Sequence, residues 1–179
     1  MGQDSGPRTG NVEHKVSSMR HDTVHAYSVR YGFNQLLPLP ADKAFDWCTD
    51  YQPYDFALMK EKGRRIIRKI TADTILLTET TRKNNRAMRK SKLVRLNKGD
   101  LSWTNTHVAG PNLHSQFLYK IIPEGRTRSR LYFKGLLICY SRKALGRRQL
   151  QTIGREERRA DSRIWRNLAA ALREETGNR

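Results

Sequence analysis

The chain has 179 residues, long enough for one domain with its own hydrophobic core. Its 35 Lys and Arg stand against 17 Asp and Glu, a net charge of +18. That balance points to an anionic partner: nucleic acid, an acidic membrane face or an acidic protein. The longest apolar run, Leu136 to Tyr140, is too short to span a bilayer, and the two cysteines, Cys48 and Cys139, are too few for a disulfide framework and read as buried thiols.

Residues 1–22 are polar, rich in Gly and Ser and aperiodic, which predicts a disordered tail with no signal-peptide core. "VHAYSVRYGFNQLLPL" alternates and predicts a strand ending at Pro38 and Pro40. Pro40 suits the first turn of a helix, and Asp42 places negative charge near its positive end. That helix has Ala44, Phe45 and Cys48 as its buried stripe. A second short helix is expected to open at Pro53 and to stop at Gly63. Helices this short are not self-supporting in water and need a surface to pack on.

From residue 64 the period changes to two. "RRIIRKIT", "TILLTETTRK", "AMRKSKLVRLNK", "LSWTNTHVAG", "LHSQFLYKIIPEG" and "RSRLYFKGLLICYSRK" predict six strands. The turn signals between them are short, such as Asn84-Asn85 and Gly110-Pro111-Asn112, so the strands form an antiparallel meander. A long amphipathic helix over roughly 147–175 closes the chain. Its stripe is Leu150, Ile153, Ala160, Ile164, Leu168 and Leu172, and its other face is rich in Arg.

This order, with "PADKAFDWCTD" after the first strand and "KIIPEGRTRSRLYF" in the late hairpin, resembles the START-like (SRPBCC) superfamily of polyketide cyclase/dehydrase and lipid-transport proteins. The resemblance implies an α+β helix-grip fold over residues 23–176. A curved antiparallel sheet of about seven strands would wrap a long C-terminal helix, with two short helices plugging one end. It implies a cavity between sheet and helix for an apolar or aromatic molecule such as a lipid, isoprenoid or polyketide, and it brings no catalytic triad, cofactor or metal motif.

Strand alternation assigns a lining to that cavity: Leu77, Glu79, Trp103, Asn105, His107, Phe117, Tyr119 and Phe133. This is an aromatic, apolar wall with a few polar groups, the usual make-up of a small-molecule site. Glu79 and His107 would pair if the register brought them together, and either could then move a proton. A second constellation is basic. Residues 60–98 carry fourteen Lys and Arg against three acids, a net charge of +11. Arg64, Arg65, Arg68, Arg82, Lys83, Arg86, Arg89, Lys90 and Lys92 are expected to form one anion-binding face, docking nucleic acid or an anionic membrane. Three functions stay open at this point: a carrier for a hydrophobic small molecule, a cyclase- or aromatase-like enzyme using the same cavity, and a basic adaptor. The expected location is the cytoplasm, free or peripheral to a membrane.

Overall fold

A computed structural model describes residues 24–83 and 86–177; the expected N-terminal tail lies outside them. β1 (His25–Leu37) leads into α1 (Ala41–Thr49) and α2 (Asp55–Leu58). Six strands follow: β2 (Gly63–Lys69), β3 (Thr74–Lys83), β4 (Arg86–Asn97), β5 (Ser102–Ala109), β6 (Gln116–Pro123) and β7 (Ser129–Ser141). α3 (Arg147–Gly177) ends the chain. The strands make one antiparallel sheet in the order β1-β7-β6-β5-β4-β3-β2, so β1 and β2 are its free edges. α3 packs mainly on β1, and α1 packs on β6 and β7. This is the helix-grip architecture, with the order and strand count expected.

The register shows why these residues share a core. On the inward face Trp103 sits opposite Tyr119, Tyr119 opposite Phe133, and Phe133 opposite Phe33. A second inward row runs Val94, Asn105, Phe117, Gly135, Tyr31. A Cβ on Gly135 would lie 2.9 Å from the Tyr31 ring, so only glycine leaves that ring room to cross the strand toward α3. The densest packing joins Leu37, Ala44 and Phe45 to Leu77, Val94 and Trp103. Full burial of side chains this size stabilises by about 1.5–3 kcal/mol each.

The short helices stand on that core. α1 has no side-chain cap at Pro40 and is held by buried Ala41, Ala44 and Phe45. α2 is a single turn whose one buried side chain is Phe56. It ends at Leu58, with Lys60 just beyond it in left-handed backbone at φ 59°, rather than at Gly63. Gly63 instead opens β2, and a Cβ there would sit 2.5 Å from the Phe56 ring. The glycine thus makes room for Phe56 and does not cap the helix.

Candidate functional site

A cavity of about 160 Å³ lies between the inward face of the sheet and α3, closed at one end by the α1–α2 segment. One half of its wall is aromatic. Trp103 and Tyr119 are stacked parallel, with centroids 4.8 Å apart and ring planes 2° apart. Trp165 leans over both from α3, 6.4 Å from Trp103 and 5.8 Å from Tyr119. Phe45 backs Trp103 edge-on at 5.9 Å. Offset and edge-on contacts of this kind add roughly 0.5–1.5 kcal/mol per pair beyond area burial, so the slab is rigid.

The other half is charged, and the pairing of β2, β3 and β4 explains why. Arg65 is opposite Glu79, and Glu79 is opposite Lys90. Lys92, two residues along β4, faces the same way. Glu79 Oε1 accepts from Arg65 at 3.0 Å, while Oε2 meets Lys92 Nζ at 2.7 Å and Lys90 Nζ at 3.5 Å. Arg65 also donates to Asp55 at 2.5 Å and to the Gln52 carbonyl at 3.0 Å, which ties the α1–α2 segment to the sheet. Its guanidinium lies over the rings of Tyr51 and Phe56, at 5.4 and 5.0 Å. Tyr51 takes a left-handed backbone, φ 53°, uncommon for a tyrosine, and this directs its ring into the cavity.

Burial alone would raise the Glu79 carboxyl. Lys92, Lys90 and Arg65 overcome that and hold it well below the usual carboxylate range. Burial also lowers the Lys92 ammonium, with Glu79 opposing. On the α3 side Asp161 accepts from the Tyr31 hydroxyl at 2.7 Å, and burial raises its carboxyl. Two buried polar atoms of lining residues, the Tyr51 hydroxyl and Asn105 Oδ1, have no hydrogen-bond partner among the described residues. Buried polar groups are nearly always satisfied, and those left over mark a place for water or a ligand.

Of the eight residues that alternation assigns to the lining, Glu79, Trp103, Asn105 and Tyr119 line this cavity. The other four do not. Leu77 is fully buried in the core. Phe117 and Phe133 pack on each other, 5.8 Å apart, and on Tyr31. His107 is buried, but the expected pair with Glu79 does not form. Its Nδ1 lies 3.2 Å from the Pro111 carbonyl, and its ring is edge-on to Phe117 at 5.1 Å. Burial and Lys92 push its pKa down to about 4. The imidazole is therefore neutral near pH 7, and Nδ1 carries the proton, because a carbonyl can only accept. The register gives the reason: His107 stands opposite Lys92 and Lys92 opposite Leu77, whereas Glu79 stands opposite Lys90, so His107 and Glu79 fall in different rows with β4 between them.

The basic face also differs from the expectation. Arg65, Lys90 and Lys92 turn inward to Glu79 and belong to the cavity. Arg64, Arg68, Arg82 and Arg89 are exposed on the outward face, while Lys83 ends β3 and Arg86 opens β4. Lys90 and Lys92 share the phase of Val94, but parity alone does not separate them or Arg65 from solvent-facing basic residues; the cross-strand register does. Tyr51, Asp161 and Trp165 carried no such signal and were missed. Two larger hollows, about 530 Å³ between β1 and α3 and about 830 Å³ on the outward sheet face, are open, and their Arg and Lys liners are exposed. Among the described residues no group of His, Cys, Asp and Glu could hold a metal ion, and no helix is long and apolar enough to cross a membrane.

No protein-family profile and no curated protein sequence matches this chain. Solved structures do. The ZhuI aromatase/cyclase from Streptomyces sp. R1128 superposes with a TM-score of 0.66 at 10% identity, over 84% of this chain and 96% of that one. A START superfamily protein from Mycobacterium smegmatis gives 0.65 at 10% identity, over 82% and 98%. Norcoclaurine synthase from Thalictrum flavum, solved in complex with dopamine and hydroxybenzaldehyde, gives 0.61 at 8% identity, over 97% and 98%.

Proposed function

The chain has a START-like helix-grip fold, and on that premise we propose that it binds a small hydrophobic molecule in the cavity between the sheet and α3. The observation that carries this reading is the pairing of a preformed aromatic slab with two unpartnered buried polar atoms on one cavity wall. A ligand entering such a site keeps its apolar body on the slab and is oriented by a few polar contacts. The volume of about 160 Å³ sets the size. An apolar cavity of about 150 Å³ admits benzene, so the match is a single ring with a small substituent. An acyl chain or fused-ring polyketide would need the α1–α2 segment to move.

A second reading, an enzyme of the cyclase or aromatase kind, is favoured by one observation. Asp161 and Tyr31 form a part-buried hydrogen-bonded pair on the cavity side of α3. With its carboxyl raised by burial, Asp161 is closer to holding a proton at working pH than an ordinary aspartate, as a general acid requires. The binding reading is tested by titrating the protein with single-ring aromatic compounds and following the fluorescence of Trp103 and Trp165. Saturable quenching that disappears in Trp165→Leu supports it. The absence of a saturable change with every compound of that size overturns it. Turnover of a bound compound that stops in Asp161→Asn would move the assignment to the enzyme.

A further inference from the structure

The distribution of donors and acceptors around the cavity says more about the ligand than its volume does. An ammonium group offers three N–H donors. Lys92 Nζ has one carboxylate partner, Glu79 Oε2 at 2.7 Å, and Lys90 shares that same oxygen at 3.5 Å. The other oxygen, Oε1, is taken by Arg65. One carboxylate therefore serves three cations, and both lysines reach the cavity with donors to spare. The Tyr51 hydroxyl adds another unused donor.

The other acids near the cavity do not remove the surplus. Asp55 bonds to Arg65 from the helix side. Asp161 accepts from Tyr31 through one oxygen and faces Lys90 and Lys92 across the cavity without forming an ion pair with either, and Glu61 lines the cavity from an exposed position. On the acceptor side, Asn105 Oδ1 is buried in the lining without a hydrogen-bond partner among the described residues. Beside these groups lies the Trp103–Tyr119 slab, which suits a flat ring.

We propose that the natural ligand is a single-ring aromatic carboxylate bearing a hydroxyl group. Its carboxylate takes the spare donors of Lys92 and Lys90, its ring lies against Trp103 and Tyr119, and its hydroxyl donates to Asn105 Oδ1. This deepens the binding reading above and rests on it. The carboxylate gains charge-assisted hydrogen bonds, which are about twice as strong as neutral ones. It also supplies the counter-charge that Glu79 divides among three partners. A neutral ring of the same size would fill the slab and leave those donors unmade, and a buried unmade hydrogen bond is costly.

The test is isothermal titration of the full chain at pH 7 with two probes of nearly equal size, 4-hydroxybenzoate and 4-hydroxybenzyl alcohol. The proposal expects the carboxylate to bind at least tenfold tighter. The preference should fall to threefold or less in Lys92→Gln. Because Lys92 is buried, Lys90→Gln is measured beside it; Lys90 is partly exposed and can be replaced without orphaning a buried charge. In that variant too the preference should drop, by threefold or more. Equal binding of the two probes, or an unchanged preference in both variants, overturns the anion assignment and leaves the binding reading standing. Failure of both probes to bind overturns the two together.

Discussion

Replacing Glu79 by Gln keeps the side chain's shape and removes one charge. Arg65 would retain Asp55 and the Gln52 carbonyl. Lys92, whose side chain is only 13% exposed, would lose its sole carboxylate partner among the described residues. Orphaning one member of a buried ion pair costs about 3–5 kcal/mol. Against a typical total stability of ~5–15 kcal/mol, that is a large share. With a urea slope of about 2 kcal/mol per molar, the unfolding midpoint should drop by roughly 2 M. The effect should also depend on pH, with a definite sign. The folded Glu79 carboxyl is held below its unfolded value, so its contribution is complete above about pH 4.3 and is lost progressively as pH falls from there to the depressed folded value. Urea melts of the two proteins should therefore converge below pH 4, by roughly 1.4 kcal/mol per pH unit. A midpoint change under about 0.5 M at pH 7, or a gap that persists undiminished at pH 3, would refute the shared-carboxylate account.

Two further outcomes follow from other parts of the molecule. Leu168 on α3 is buried against the core, so Leu168→Ala should cost about 2–5 kcal/mol in a thermal or urea melt; an unchanged midpoint would mean that α3 does not close the grip. The exposed Arg64, Arg68, Arg82 and Arg89 form the remaining outward basic face, and changing all four to Glu should abolish low-salt binding to phosphatidylglycerol vesicles. If the unchanged protein does not bind such vesicles at low salt, that face is a solubility feature only.

The fold was readable because two periods were. Alternation marked the six strands after Gly63, the short turns fixed their order, and the stripe from Leu150 to Leu172 marked α3. The aromatic slab was readable too, since Trp103 and Tyr119 hold inward positions on neighbouring strands. The charged half was not, because basic residues in a strand read as solvent-facing. Only cross-strand register reveals that Arg65, Glu79 and Lys90 stand in one inward row. The Glu79–His107 pairing failed for a related reason. Lys92 stands between His107 and Leu77, so His107 falls in the Leu77 row and not the Glu79 row, and nothing in the local composition announces that offset. Tyr51 and Asp161 depend on tertiary placement, one on a left-handed turn residue and the other on where a helix crosses a sheet.

The free edge of the sheet at β2 has a consequence for handling the protein. Ile66 and Ile67 are exposed there, beside Arg64, Arg68 and Lys69. An unpaired strand with exposed isoleucines is a template for another copy of itself, and flanking basic residues are what keep two such edges apart. That repulsion acts through solvent and has a range set by ionic strength, about 10 Å at 0.1 M salt and about 3 Å at 1 M. Concentrated stocks should thus stay monodisperse in dilute buffer and cluster through β2 as salt rises, the reverse of the usual remedy for a sticky basic protein.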